Sequence, residues 1–220
     1  MITINISEKI REKCSAIQLG CISCKVNVRP QSNELWRAID EERMAIRNNM
    51  RIEMIRKIPA IEVSRKAYKL LGKDPARYRL SAEALLRRVV KGEKLYQVNN
   101  VVDLVNLASF SSGFSIGGYD TSKISGNITL DIGTSNDSYT AIGRGGLNIE
   151  YLPVLRDQNG AFGSPTSDSE RTSVSDNTSQ FLMVFFDFGA PHILDESMNY
   201  AIELLKKHAF ADNFKTFIIS

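Results

Sequence analysis

Phe181-Leu182-Met183-Val184-Phe185-Phe186 is an unbroken apolar run, with no polar position left to face water on either side. A strand on a half-solvated sheet alternates apolar and polar side chains, so a continuous run describes a strand covered on both faces. A membrane span needs about 20 apolar residues, which this run does not approach. It is therefore read as a central buried strand.

Downstream, residues 195 to 209 place Met198, Ala201, Ile202, Leu205 and Ala209 on one helical stripe, and Phe214 to Ile219 reads as a last strand. His208 stands near the end of that helix beside Lys206 and Lys207, where a cation favours the negative helix terminus. Upstream, Ile128 to Ile132 alternates. Leu152 to Arg156 then runs into Asp157-Gln-Asn-Gly160, whose Asn-Gly pair signals a hairpin. Ile142-Gly-Arg-Gly-Gly-Leu147 is glycine-rich but lacks a strand–loop–helix setting, so it predicts a turn rather than a phosphate cradle.

Residues 1 to 100 read as helices around one strand. Ser7 caps a short helix ending at Cys14, and a strand follows from about 17 to 28. Ser32 caps the next helix, which turns Leu35, Trp36 and Ile39 to one side. A helix from about 60 to 71 stops at Gly72-Lys-Asp-Pro75. In Ser81-Ala-Glu-Ala-Leu-Leu-Arg-Arg-Val-Val-Lys-Gly92, Ser81 is the expected cap and Glu83 suits the positive helix end, while Leu85, Leu86 and Val89 form the buried stripe. Residues 101 to 110 make a short helix that is apolar on several faces. Together these elements predict an α+β domain, sheets below and helices above.

Composition sets the outer bounds. A chain of 220 residues with 43% hydrophobic and 24% charged residues can bury a core without disulfides or metal. Cys14, Cys21 and Cys24 are an odd set. A strand through Ile22, Cys24 and Val26 sends Cys21 and Cys24 to opposite faces, so core thiols are expected rather than a redox or zinc pair. The opening MITINISEKIREK lacks the apolar core of a signal peptide, from which a cytoplasmic address and no membrane partner are expected. The net charge of +3 hides a division: residues 1 to 100 hold 21 Lys and Arg against 11 Asp and Glu, residues 101 to 220 hold 7 against 14. Such a basic half suits a phosphate-bearing partner, but on charge alone solvated Lys and Arg on the outer faces of long helices are the slightly better account.

Motifs for a nucleophile elbow, a zinc protease helix or a P-loop do not occur, and His192 and His208 are the only histidines. No metal or cofactor is expected. Two polar stretches stand out. Asn99-Asn-Val-Val-Asp-Leu-Val-Asn106 puts amides and an acid on an apolar segment, with Asp103 and Asn106 on one helical face; these groups either brace the helix or meet a ligand. Gly163-Ser-Pro-Thr-Ser-Asp-Ser-Glu-Arg-Thr172 crowds hydroxyls around two acids and an arginine. Either Asp168, Glu170 and Arg171 pair among themselves, or they and Ser167, Ser169 and Thr172 orient a water or polar ligand.

The run Asn99-Asn-Val-Val-Asp103 with Asn106, then Gly117, then Gly118-Tyr-Asp-x-x-Lys-Ile124 resembles the B3/4 domain, the editing domain of phenylalanyl-tRNA synthetase β-subunits. The order continues through the strand ending in Asp157, the Asn-Gly turn, and the acid-containing loop leading to Thr178 and the apolar strand, so the likeness spans roughly residues 80–190. "SAEALLRRVVKG" and "GSPTSDSERT" are similar to the phrasing of a freestanding group of this domain. No synthetase catalytic core fits in this length.

The resemblance implies a three-layer α+β fold of mixed sheets and packed helices. Residues 80–220 would form its core with a C-terminal helix and strand, and residues 1–79 a helical and strand part packed on the same domain. It implies hydrolysis of the ester in mischarged aminoacyl-tRNA, without a cofactor. On this reading Glu170 positions or deprotonates water, and Asn106 and Arg171 surround the ester. Asn100, Asp103, Val105, Gly117, Gly118, Ser167, Asp168, Ser169 and Thr172 line the pocket, while Arg87, Arg88 and Lys91 hold RNA. Val105 stands where the family has threonine and Gly117 where it has a pocket histidine, so a roomier, less polar pocket is expected there. Those two losses support an alternative: a module that binds an amino acid, a small metabolite or an RNA end without turnover.

Overall fold

The computed structural model describes residues 3–30, 32–190 and 192–220. The apolar run lies within β9 (Gln180–Asp187), an inner strand of an antiparallel sheet. Its neighbours there are β2 (Gln18–Lys25) and β3 (Ser115–Asp120), with β10 (Asp212–Ile219) on the far side of β2. A second four-stranded sheet contains β1 (Ile4–Ile6), β4 (Ile128–Ile132), β7 (Pro153–Asp157) and β8 (Gly160–Gly163) in that order, with β1 parallel to β4 and the rest antiparallel. β5 (Thr140–Ala141) and β6 (Gly145–Gly146) make the small hairpin of the glycine-rich segment. The helices are α1 (Glu8–Lys13), α2 (Asn33–Asn49), α3 (Pro59–Leu71), α4 (Ser81–Val90), α5 (Asn100–Ser112) and α6 (Leu194–Ala209). Short 3-10 helices occupy Ile52–Lys57, Thr121–Lys123 and Glu170–Thr172.

The absence of polar positions from Phe181 to Phe186 now has its cause. Leu182, Val184 and Phe186 join Leu19 and Cys21 against Ile128, Leu130 and Leu155 of the other sheet. Phe181, Met183 and Phe185 join Ile22 and Cys24 against the helices. Sheet, sheet and helices thus form three layers of an α+β domain. Each fully buried phenylalanine contributes roughly 1.5–3 kcal/mol through removal of apolar surface from water. Cys21 and Cys24 fall into the two separate clusters, as strand alternation requires, and burial pushes both thiols up to about 12. Gly20 lets α6 lie close on β2: a methyl group there would stand 2.6 Å from the Met198 sulfur.

Residues 1–79 are woven into this architecture, since β1 and β2 are strands of the two sheets. Ser32 accepts the Leu35 N–H as the cap of α2, and Gly72 ends α3 in the left-handed region at φ 98°. Other local expectations require correction. Ser7 precedes α1, but its hydroxyl donates to Asp131 instead of capping. Leu80 is the residue that caps α4 in position, without a side-chain bond; Ser81 is the first helical residue, and its N–H donates to Pro165 O at 2.8 Å. Glu83 is not a solvated helix-end charge but a buried group paired with arginines. His208 is buried too, and desolvation, then Lys207, lowers its pKa; its ring is neutral at pH 7, and the role of a cation at the helix terminus falls away. No helix among the described residues is long and apolar enough to cross a membrane.

Candidate functional site

α5 is apolar on nearly every face because it runs through the helical layer, directly against β3. Its N-terminal polar residues serve that placement. Asn99 accepts the Val102 N–H as the helix cap. Asn100, fully buried, accepts from Arg29 N at 2.7 Å and donates to Asn27 O and His208 O at 2.9 and 2.7 Å. Asp103 accepts Trp36 Nε1 at 2.8 Å and Val98 N at 3.0 Å. Asn100 and Asp103 are therefore braces, and their expected place in a ligand pocket is corrected. Every polar atom of the Asn100 side chain already has a partner, as a buried amide requires.

Beyond this braced end, Val105 lies over Gly118: a methyl at Gly118 would meet Val105 Cγ2 at 3.3 Å. Gly118 belongs to β3, the free edge of its sheet, and its N–H points away from the sheet to Asp168 Oδ2 at 3.4 Å. Asp168 Oδ1 accepts the Tyr119 hydroxyl at 2.7 Å. The loop that carries Asp168 is pinned on several sides. Its Pro165 carbonyl takes the start of α4, its Thr166 hydroxyl meets Tyr68 at 2.9 Å, and its Ser167 carbonyl accepts Tyr139 at 2.6 Å. The Asp168 carbonyl in turn accepts Ile142 N–H at 3.0 Å. The result is a part-buried carboxylate at a sheet edge, flanked by two tyrosines.

Burial pushes the Asp168 carboxyl up to about 7, against the lowering effect of the Tyr119 and Gly118 hydrogen bonds. Tyr119 is driven in the same direction, first by burial and then by the Asp168 charge, so it stays a phenol and donates. A carboxyl group that exchanges its proton near neutral pH is suited to acid–base work.

Gly117 does not open a roomier pocket. Tyr119, two residues on and on the same strand face, lies over it, and a Cβ at Gly117 or at Gly163 would collide with the Tyr119 hydroxyl. The phenol ring packs edge-on to Phe162 at 5.0 Å between centroids. Tyr119 thus fills the space and supplies the polar group that the glycine and Val105 lack. Gly117→Ala is expected to lower stability by about 1–3 kcal/mol, as overpacking does, and to displace Asp168. Thermal denaturation checks the first effect, and the carboxyl pKa by carbon-detected NMR the second.

The other expected site residues are placed as follows. Glu170 is exposed, and its carboxylate makes no hydrogen bond among the described residues. Arg171 turns away to Asp157, with Nη2 to Oδ1 at 2.8 Å and Nη1 to Oδ2 at 3.0 Å, and it also donates to Gly160 O at 3.1 Å. Both terminal nitrogens of the guanidinium are thus turned toward Asp157 and Gly160, and the ion pair, not an ester, is what the structure gives Arg171. Ser169 is buried and accepts the Arg171 N–H; Thr172 is buried with no partner for its hydroxyl among the described residues. Asn106 is half-buried and shares no hydrogen bond with Glu170; the link from α5 to the loop runs through Val105, Gly118 and Asp168. Arg87 bonds Glu83, Arg88 donates to Lys94 O at 2.9 Å, and Lys91 stands exposed 3.7 Å from Glu93. Tyr119 and Tyr139 were missed. The signal for Tyr119 was its position two residues after Gly117, where alternation lays its ring over the glycine.

Among the described residues no three His, Cys, Asp or Glu side chains gather as metal ligands would. Two surface hollows, of about 230 and 280 Å³, lie away from Asp168. One lies between α2 and α4 beside Arg43 and Arg47, the other beside Ser111 and Tyr200.

Comparison with known proteins adds three findings. The family described as the B3/4 domain matches residues 63–211. No curated protein matches the chain. Among solved structures, an N-terminal fragment of the phenylalanyl-tRNA synthetase β-subunit from Pyrococcus horikoshii is similar, with 11% identity and a TM-score of 0.48. That match covers 100% of this chain and 50% of the fragment, so the chain spans half the fragment's length.

Proposed function

The chain belongs to the B3/4 domain family, and from that premise we propose that it hydrolyses the ester of an aminoacyl-tRNA carrying the wrong amino acid, with Asp168 as the base. The observation that carries the reading is the Asp168 carboxylate, raised to about 7 and held at the free edge of β3. Water attacks the ester carbonyl and gives its proton to Asp168. The tetrahedral centre then collapses, the bond to the ribose oxygen breaks, and that oxygen takes the proton to leave a free amino acid and an intact 3′ end. The Gly118 N–H, only loosely engaged at 3.4 Å, would turn to the oxygen on which negative charge develops. The amino acid side chain would lie toward Val105, the apolar neighbour of that edge.

One observation favours the second reading, binding without turnover. With Arg171 paired to Asp157, the loop offers no second charged group to stabilise an oxyanion. The two readings separate in one experiment. The protein is incubated with a panel of tRNAs charged with non-cognate amino acids, and ester loss is followed against the uncatalysed rate. Ester loss on at least one of them, above background, is the expected result. Retention of every ester, together with ligand-dependent thermal stabilisation by an amino acid, would establish the binding module instead.

A further inference from the structure

Glu83 is 1% exposed, yet four arginines converge on it. Arg65 Nη1 at 2.7 Å and Arg87 Nε at 3.1 Å satisfy its two oxygens. Arg56 and Arg79 approach only to 3.9 and 4.0 Å, too far for a hydrogen bond, and are 57% and 46% exposed. Neither guanidinium makes a hydrogen bond among the described residues. One carboxylate therefore faces four cations, and the surplus charge repels itself unless an anion or water takes it up. A guanidinium fork matches phosphate in shape as well as charge.

The location gives this surplus a direction. The ring surrounds the start of α4, whose first N–H holds Pro165 of the loop bearing Asp168. Arg65 lies one turn before Tyr68, whose hydroxyl holds Thr166 of the same loop. Around α4, on the flank of its outer face opposite Arg87, Arg88 lies 4.9 Å from the ring centroid of Tyr96, a tyrosine 75% exposed. Beside it lies the hollow of about 230 Å³ flanked by Arg43 and Arg47. Cations interleaved with an exposed aromatic ring are the chemistry that tracks a single-stranded nucleic-acid backbone and its bases.

We infer that the arginine ring centred on Glu83, continued around α4 to Arg88 and Tyr96, grips the sugar–phosphate backbone of the tRNA end and delivers that end to Asp168. From the function proposed above it takes only the identity of the partner. Buried Glu83 orients Arg65 and Arg87, while Arg56 and Arg79 keep their donors for phosphate.

The test measures binding of uncharged tRNA by fluorescence anisotropy across a salt series, for the full chain and for the Arg56→Ala/Arg79→Ala variant. The expected result is an affinity at least about tenfold weaker at low salt, with a slope of log K against log salt shallower by about 1.5, as for two lost phosphate contacts. The melting temperature is expected to stay the same, because the hydrogen bonds to Glu83 come from the other two arginines. The Arg56→Lys/Arg79→Lys pair is expected to restore the slope, since it restores the charge. An unchanged affinity and slope in the alanine variant, or a lysine pair that folds but fails to restore the slope, overturns the inference. Because this tRNA carries no amino acid, the outcome is independent of hydrolysis. A protein that grips tRNA through these arginines yet cleaves no ester loses the proposed activity and keeps the ring.

Discussion

Arg171→Ala is expected to lower the stability of the fold by about 3–5 kcal/mol, the usual effect of leaving one member of a buried ion pair alone. For a domain of this size that shifts the melting temperature by on the order of 10 °C. The physical reason is Asp157, whose carboxylate is fully buried and accepts both Arg171 nitrogens, together with Ser125 N and Asn159 N at 2.8 and 2.9 Å. Burial alone would raise the Asp157 pKa. The Arg171 bonds and the two backbone donors outweigh it, so the pKa lies below the ordinary carboxylate value. A depressed folded-state pKa gives stability that is present above the unfolded value and is lost as pH falls through the folded one. The gap between wild type and Arg171→Ala should therefore be widest near pH 7, begin to narrow on acidification below about pH 4, and close only as pH falls through the depressed folded-state pKa of Asp157. Urea denaturation of the two proteins at pH 7 and at pH 3 measures this. Glu170→Gln, at an exposed unpaired site, should change stability by less than about 0.5 kcal/mol. An Arg171→Ala protein as stable as wild type but unable to cleave an aminoacyl ester would return Arg171 to the site.

Fold and site differed in how much of them could be read from sequence. β9 was legible because its covered middle, Phe181 to Phe186, carries no polar residue, and α6 because its stripe repeats at the helical period. β3 was not. Ser115-Ile-Gly-Gly-Tyr-Asp120 places two adjacent glycines in its middle, a composition that reads as loop, and only its pairing with β9 makes it a strand. Glu83 misled in the same manner: an acid in the first turn of a helix has a sufficient local explanation, and while Arg79 and Arg87 lie four residues to either side, Arg56 and Arg65 come from segments distant in sequence. In the loop, local sequence marks both Asp168 and Glu170 as acids and cannot rank them. What separates them is tertiary, because Ile142 and Tyr119 draw residue 168 inward while residue 170, at the start of a short turn, is left exposed. Asn100 shows the converse. A polar group in an apolar helix advertises a special role, and the role turned out to be tying α5 to the ends of β2 and α6.

Asp168→Asn is expected to remove ester hydrolysis by at least about 100-fold, the scale of a lost general base, while leaving the fold at least as stable as wild type in alkaline buffer. The second half is the more discriminating. The folded-state pKa of Asp168 is raised to about 7, above the unfolded carboxylate value of about 3.9. A raised carboxyl favours the folded state fully only below the unfolded value; that advantage is given up as pH climbs toward about 7 and stays lost above it. Holding this carboxylate ionised at pH 8 thus costs on the order of 1–3 kcal/mol, allowing for its partial contact with water. The amide carries no such charge, its oxygen still accepts the Tyr119 hydroxyl that now bonds Oδ1, and the contact it gives up is the long one from Gly118 N–H at 3.4 Å, a smaller loss than the charge it removes. Wild type and variant should therefore melt alike near pH 4 and diverge in favour of the variant at pH 8. The wild-type hydrolysis rate should rise with pH and level off above about 7, as the base loses its proton. A residue kept at the expense of stability, and whose neutral copy is stable but inert, is retained for its reactivity. If Asp168→Asn instead melts lower at pH 8, the carboxylate is a structural anchor for Tyr119 and the loop; if it cleaves at the wild-type rate, the proton goes elsewhere.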